Sequence, residues 1–264
     1  MEEILSITDI TEYLYCPRKF YLRKVKGIRE FPSKQMILGG FKHKIFDTFN
    51  RSEQELVTSI NKKIDEREIS ELYRKMSQKI ISEFIFMKKE ALAKLDILSF
   101  DFLKDMMLLL EKEIQLRVKS VNQGIKKGYL AQELWNERYP QYFSEVELVS
   151  SELGLKGRID RLEIGENIIP YEIKTRENIF DADKLQLAGY SLLLEEEFDK
   201  DIDKGIIETS SKKEIIEINK ELKDKFLELV NEIRDILNSE KELPIQNSFK
   251  KCEKCKLKSE CFGE

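Results

Sequence analysis

The spacing of apolar residues changes once along this chain. From Phe41 to about Tyr139 they recur three and four apart, as in Leu72, Met76, Ile80 and Phe84, and no proline interrupts the stretch. That spacing lays an apolar stripe along one face of an α-helix, so a helical block is predicted here. After Pro140 the period shortens. YFSEVELVS alternates, and LGLKGRIDRLEI and NIIPYEIKTR follow across short turns such as Gly165-Glu166-Asn167. These read as consecutive antiparallel strands. DADKLQLAGYSLLLEEEF predicts an amphipathic helix with Asp181 or Asp183 near its start. DKGIIETSSKKEIIEIN predicts a further hairpin, and Glu221 to Leu237 a final helix. Near the N-terminus, Ser6 followed by Asp9 fits a capping box opening a helix through Tyr15. Pro17 interrupts that helix, and a second, basic and aromatic one is expected to run to about Val25. The pattern as a whole is a helical N-terminal half packed on an α/β half.

Composition narrows the class. The chain has 264 residues, 41% hydrophobic and 36% charged, with 11 Gly and 5 Pro, which suits a compact protein of one elaborated domain or two and argues against a disordered one. The longest apolar run, Met106 to Leu110, is far too short to span a bilayer, so no membrane association is expected. The start, MEEILSITDI, lacks a signal-peptide layout, and a cytoplasmic protein is expected. A net charge of −4 does not by itself point to nucleic acid. Yet Arg18 to Arg29 (RKFYLRKVKGIR) holds six basic residues and no acid, and Lys250, Lys251, Lys254, Lys256 and Lys258 crowd the other end. Solvated helix faces would look the same. Tyr13, Tyr15, Phe20 and Tyr21 nearby could stack on unpaired bases or, at helical spacing, pack a core.

Candidate chemistry sits in the strands. Along IIPYEIKTR, Glu172 and Lys174 point to one face while Ile169, Tyr171 and Ile173 point to the other. Asp160, in GRIDRLEI, lies on the strand expected to neighbour it. Two carboxylates on adjacent strands and a lysine two residues on make an oxygen-ligand site suited to Mg²⁺ or Mn²⁺, although solvated strand charges can share that spacing. Only Glu172-Ile173-Lys174 and Glu221-Leu222-Lys223 have the (D/E)-x-K form, and the second begins a predicted helix. Gln186 and Tyr190 stand four apart, on one face of the following helix. The only histidine, His43, lies in GGFKHKIFD and is expected to open a long helix after a glycine pair.

Cysteines form the second constellation. Cys252, Cys255 and Cys261 crowd a polar tail, KKCEKCKLKSECFGE, while Cys16 precedes Pro17 at the opposite end. Reduced cytosolic thiols argue against disulfides. Zinc and an iron–sulfur cluster both accept four thiolates, and spacing alone leaves both open.

The ordered set His43, GRID with Asp160, YEIKT with Glu172 and Lys174, and QLAGY with Gln186 and Tyr190 resembles the RecB-like branch of the PD-(D/E)XK nucleases. With YLYCPRKFYL around Cys16 and the terminal C-x₂-C-x₅-C, the chain is similar to the CRISPR-associated RecB-like exonucleases, the fourth Cas family. The resemblance implies a mixed α/β sheet with flanking helices. Its parts would be N-terminal helices with the first cluster ligand (1–40), a helical region (41–140), the RecB-like nuclease core (141–245) and a cluster-binding tail (246–264). It implies that Asp160 and Glu172 ligate Mg²⁺ or Mn²⁺, with His43 and the Ile173 carbonyl completing the shell. Lys174 would orient water or stabilise developing charge, and Gln186 and Tyr190 would hold the site or the DNA in register. Cys16, Cys252, Cys255 and Cys261 would hold a 4Fe–4S cluster, with 2Fe–2S or zinc as alternatives. The implied activity is metal-dependent DNA hydrolysis, a 5′→3′ exonuclease on single strands or overhangs that trims DNA before CRISPR spacer integration, with the integrase subunits as partners. RecB-like nucleases of repair, replication or viruses share these motifs, and a non-catalytic DNA- or protein-binding module is the alternative of a different class.

Overall fold

The structure, a computed structural model, describes residues 4–30, 32–174, 176–209, 211–239, 242–245, 249–253 and 255–263, with the side chains of Gln35, Phe249 and Lys250 left out. In chain order it contains β1 (Leu5–Ser6), α1 (Ile7–Tyr15), α2 (Pro17–Lys24), α3 (Lys34–Thr58), α4 (Glu66–Lys94), α5 (Ser99–Lys127), α6 (Ala131–Glu137), β2 (Gln141–Ser150), β3 (Leu155–Ile164) and β4 (Ile168–Ile173). Then follow α7 (Asp181–Phe198), β5 (Lys204–Glu208), β6 (Lys213–Glu217), α8 (Lys220–Ser239), α9 (Phe249–Cys252) and α10 (Lys258–Phe262). The sheet runs β1-β3-β4-β5-β6, with β2 also beside β3. It is mixed: β1 pairs β3 and β4 pairs β5 in parallel, while β5 and β6 form the expected antiparallel hairpin. A parallel β4–β5 pair needs a crossover, and α7 supplies it.

The chain divides into two compact units: Met1–Phe31, Glu147–Asp160 and Ile169–Glu264 form the first, and Pro32–Val146 with Arg161–Ile168 the second. The second is built from α3 to α6 around a core that includes Ile45, Phe49, Tyr73, Ile81, Leu110, Val121 and Leu134. Phe41, Phe84 and Phe102 pack ring against ring, with centroids 5.2 to 6.3 Å apart. Asp65 and Glu68 cap α4 reciprocally, and Gly128, at φ +100°, stops α5 in the left-handed conformation that a side chain would resist. The start of α3 departs from the sequence expectation. The helix begins at Lys34 rather than after the glycine pair, with the Ser33 hydroxyl accepting from the Met36 N–H at 3.2 Å. Gly39 and Gly40 lie inside it. Each costs about 1 kcal/mol against alanine, a penalty that the cap and the burial of Ile45, Phe46 and Phe49 offset.

In the first unit, Ser6 caps α1 as expected: its N–H donates to Asp9 Oδ2 at 3.0 Å. Helix α7 is buried nearly all round, including Leu185, Leu187, Ala188, Tyr190, Leu193 and Leu194, as befits a helix covered on several sides. Two glycines let it sit that close. A Cβ on Gly157 would meet Ile7 at 2.7 Å and Tyr190 at 3.0 Å, and one on Gly189 would meet Phe226 at 2.6 Å. Tyr13, Phe20 and Tyr21 are core residues, which removes them as base-stacking candidates, while Tyr15 is 53% exposed. The polar tail is not all surface either: Leu257 is 2% exposed and anchors it.

Candidate active site and cysteine cavity

Neighbouring strands β3 and β4 bring Asp160 and Glu172 together, and the Ile173 N–H donates to Asp160 Oδ2 at 2.6 Å. Pleating turns Glu172 inward, where it is only 6% exposed. One of its oxygens takes a hydrogen bond from Lys174 Nζ at 2.6 Å and the Tyr190 hydroxyl also bonds to the carboxylate; the other oxygen, Oε2, is buried with no close hydrogen-bond partner. Burial and the adjacent Asp160 charge push the Glu172 carboxyl up to about 7, against the pull of Lys174. Lys174 is held from three sides: by Glu172, by Gln186 Oε1 at 3.1 Å and by Asp183 at 3.3 Å. Gln186 in turn donates from Nε2 to the Tyr190 hydroxyl at 2.7 Å. Burial and the Glu172 and Asp160 charges raise the Tyr190 phenol well above its ordinary value, so it stays protonated.

The structure therefore brings together Asp160, Glu172, Lys174, Gln186 and Tyr190, with the Ile173 backbone at their centre. His43 lies on α3 in the other unit, its ring 34% exposed and its Nδ1 in contact with the Glu145 carboxylate.

Two further residues were not read as chemistry: one lies in the carboxylate cluster and the other beside His43. Asp183 serves as more than a helix start. Its Oδ2 accepts the Phe180 N–H at 2.8 Å, and its carboxylate, held below the usual range despite its burial, pairs with Arg176 as well as Lys174. Its place three residues before Gln186, on the same helix face, was the available signal. Glu145 is the other. It occupies β2 at φ +56°, buried directly after the buried Ser144, which breaks the alternation that would have placed it outside.

A buried carboxylate oxygen without a partner, beside a second carboxylate, is the chemistry that a hard divalent cation completes. Among the described residues no three His, Cys, Asp or Glu side chains form a ready-made ion cage. The fit to a cation therefore stands on the orphaned Glu172 oxygen and the oxygen donor set.

Four free thiols form the second site. Cys16 caps α2, its sulfur accepting the Lys19 N–H at 3.5 Å. Cys252 ends α9, Cys255 follows, and Cys261 lies in α10. All four line one cavity of about 170 Å³, together with Arg18 and Lys19. The Cys261 thiol is raised by burial and by the charges of Cys16 and Cys255, against the opposing pull of Arg18. The tail is also fastened independently of the thiols: Lys251 Nζ donates to the Tyr15 carbonyl at 2.9 Å and lies over its ring. Of the basic tail, Lys251, Lys256 and Lys258 line the cavity; Lys254 and the Lys250 side chain lie outside the described residues. Four half-buried thiols around one cavity are the donor type that an iron–sulfur cluster or zinc takes, but among the described residues no three of them form a ready-made metal cage.

The residues of both sites fall within residues 4–262, which match a family model described as the PD-(D/E)XK nuclease superfamily. A CRISPR-associated exonuclease Cas4/endonuclease Cas1 fusion of Leptospira interrogans serogroup Icterohaemorrhagiae serovar Lai (strain 56601) is 30% identical over 126 residues, 44% of this chain and 23% of that protein. The match thus spans about a quarter of the relative's length. A solved structure described as the crystal structure of SSO0001 is 20% identical, covering 67% of this chain and 77% of that one with a TM-score of 0.32. No described helix is long and apolar enough to cross a membrane.

Proposed function

Because the chain belongs to the PD-(D/E)XK nuclease superfamily, whose members use divalent metals such as Mg²⁺ or Mn²⁺, we propose that it is a metal-dependent DNA nuclease, a 5′→3′ exonuclease on single strands or overhangs that prepares DNA for CRISPR spacer acquisition. The observation that carries the catalytic reading is the orphaned oxygen of Glu172 beside Asp160, with Lys174 alongside. Asp160 and Glu172 bind the cation; the resemblance adds the Ile173 carbonyl and His43 as ligands. Bound there, the cation would acidify a water and neutralise charge building on the phosphate. Lys174 holds a proton-donating ammonium beside Glu172, where it can orient the attacking water. Gln186 also holds that ammonium, and Tyr190 holds Gln186.

Cys16, Cys252, Cys255 and Cys261 are proposed to hold a 4Fe–4S cluster, which would tie the first helices to the tail. The fusion of a Cas4 exonuclease to a Cas1 endonuclease in the Leptospira protein supports a CRISPR setting and an integrase partner for this chain.

One preparation tests both readings. Protein purified without oxygen should be brown, with broad absorbance near roughly 400 nm from thiolate-to-iron charge transfer. It should degrade labelled DNA with Mg²⁺ or Mn²⁺, and Asp160→Ala or Lys174→Ala should lose roughly three orders of magnitude in rate while remaining folded. Undiminished cleavage by Asp160→Ala, contaminants excluded, would sink the active-site assignment. A colourless protein with stoichiometric zinc would sink the cluster.

A further inference from the structure

Glu145 has no part in the catalytic set, yet the helical unit is built to present it. Strand β2 turns through a positive φ at this residue, a conformation uncommon outside glycine. The preceding Ser144 is held on every polar atom. Its N–H donates to Asn50 Oδ1 at 3.2 Å, and its carbonyl accepts from the same amide. Its hydroxyl donates to Glu113 at 2.7 Å and accepts from Arg117 at 3.2 Å. Pinned there, the strand delivers the Glu145 side chain, buried, to α3. Its two oxygens are divided: Oε1 takes Lys42 Nζ at 3.1 Å, and Oε2 meets His43 Nδ1.

A carboxylate can only accept, so the nitrogen facing it must carry the proton. Lys42 pairs with the other oxygen of the same carboxylate, so Glu145 has a cationic partner besides the ring. We infer that Glu145 is a positioning residue for His43: it fixes the Nδ1–H tautomer and the ring orientation, leaving Nε2 as the lone-pair nitrogen available to a divalent cation. Carboxylates that hold the far nitrogen of a ligating histidine act in this way generally. The inference rests on the nuclease reading only for what Nε2 meets; the tautomer stands apart from it.

His43 is the only histidine in the chain, so tag-free protein labelled with ¹⁵N-histidine gives one pair of ring nitrogens in a long-range ¹H–¹⁵N spectrum. At pH 8 the wild type should show Nδ1 protonated and Nε2 bare, and added Mn²⁺ should broaden the His43 ring signals. Glu145→Ala should move the ring toward the Nε2–H form and weaken Mn²⁺ binding by calorimetry about 10- to 100-fold. Glu145→Gln, which keeps an acceptor oxygen, should restore much of both. A bare Nδ1 in the wild type, or an unchanged tautomer in Glu145→Ala, overturns the proposal. The wild-type spectrum alone decides it should the alanine variant not fold. The expected tautomers with no Mn²⁺ effect would support the positioning role and count against the nuclease reading instead.

Discussion

Two groups of buried carboxylates are resolved in opposite ways in this chain. In the helical unit, Arg117 donates to Glu53 at 3.1 Å and to Glu113 at 3.0 Å, Arg161 donates to Glu113, and Tyr73 donates to Glu53 at 2.7 Å. Burial alone would raise the Glu113 carboxyl, but Arg117 and Arg161 hold it below its ordinary value. In the other unit, Asp160 and Glu172 lie together with Lys174 paired to Glu172, one Glu172 oxygen has no close hydrogen-bond partner, and its carboxyl is pushed up. In the first arrangement the carboxylates are neutralised by arginines and behave as scaffold, although Arg138, 3.8 Å from Glu53, keeps one buried nitrogen without a hydrogen bond. The second is short of positive charge, an imbalance that a bound cation would relieve and that the first does not have.

Arg117 is where that contrast breaks most easily. It is the largest fully buried side chain, and Arg117→Ala would leave Glu53 and Glu113 short of their shared partner. Removing one side of a buried ion network costs about 3–5 kcal/mol, so the urea midpoint should fall steeply. A midpoint within error of wild type would mean that the network is not scaffold.

Glu172 should behave in the opposite sense. Its ordinary value is 4.5 and its folded value is about 7, so between them the folded chain keeps a proton that the unfolded chain releases. The stability it contributes is fully present below about pH 4.5 and is lost as pH rises through about 7, a difference of about 3 kcal/mol. Thermal melts of wild type and Glu172→Gln from pH 4 to 8 isolate this term, with the wild type falling relative to the variant. Mg²⁺ should recover the wild-type loss at pH 8, do little at pH 5, and leave Glu172→Gln unmoved. Parallel curves for the two proteins would remove the asymmetry between the carboxylate groups.

The half of this contrast that concerns Asp160, Glu172 and Lys174 was legible in the sequence, because a strand's period of two places Glu172 and Lys174 on one side and spacing brings in Asp160. Gln186 and Tyr190 were legible for the analogous helical reason. The scaffold half was not. Glu53, Glu113 and Arg117 read as ordinary helix charges, and periodicity assigns charges to the solvent side unless their partners, distant in sequence, are known. Glu145 was hidden by the break in alternation at Ser144, a local backbone choice that no residue type in YFSEVELVS announces. The start of α3 was missed because a glycine pair reads as a boundary, whereas Ser33 caps the helix before it.

Gln186 gives the finest test of how the under-neutralised site is held. Its amide is neutral, so Gln186→Ala changes no charge at Asp160 or Glu172; it removes one hydrogen bond to Lys174 and one to Tyr190. Lys174 keeps Glu172 and Asp183 and therefore stays in place with more freedom. A hydrogen bond to a charged group is worth about 1.5–3 kcal/mol, and Lys174 keeps two other partners, so the single-turnover cleavage rate should fall roughly tenfold and at most about a hundredfold, less than for Asp160→Ala. The pH-dependent difference in stability traced to Glu172 should persist, because the charges that produce it are untouched. A loss as large as that of Asp160→Ala would instead place the Gln186 amide against the DNA itself, making it a catalytic residue rather than a brace for Lys174.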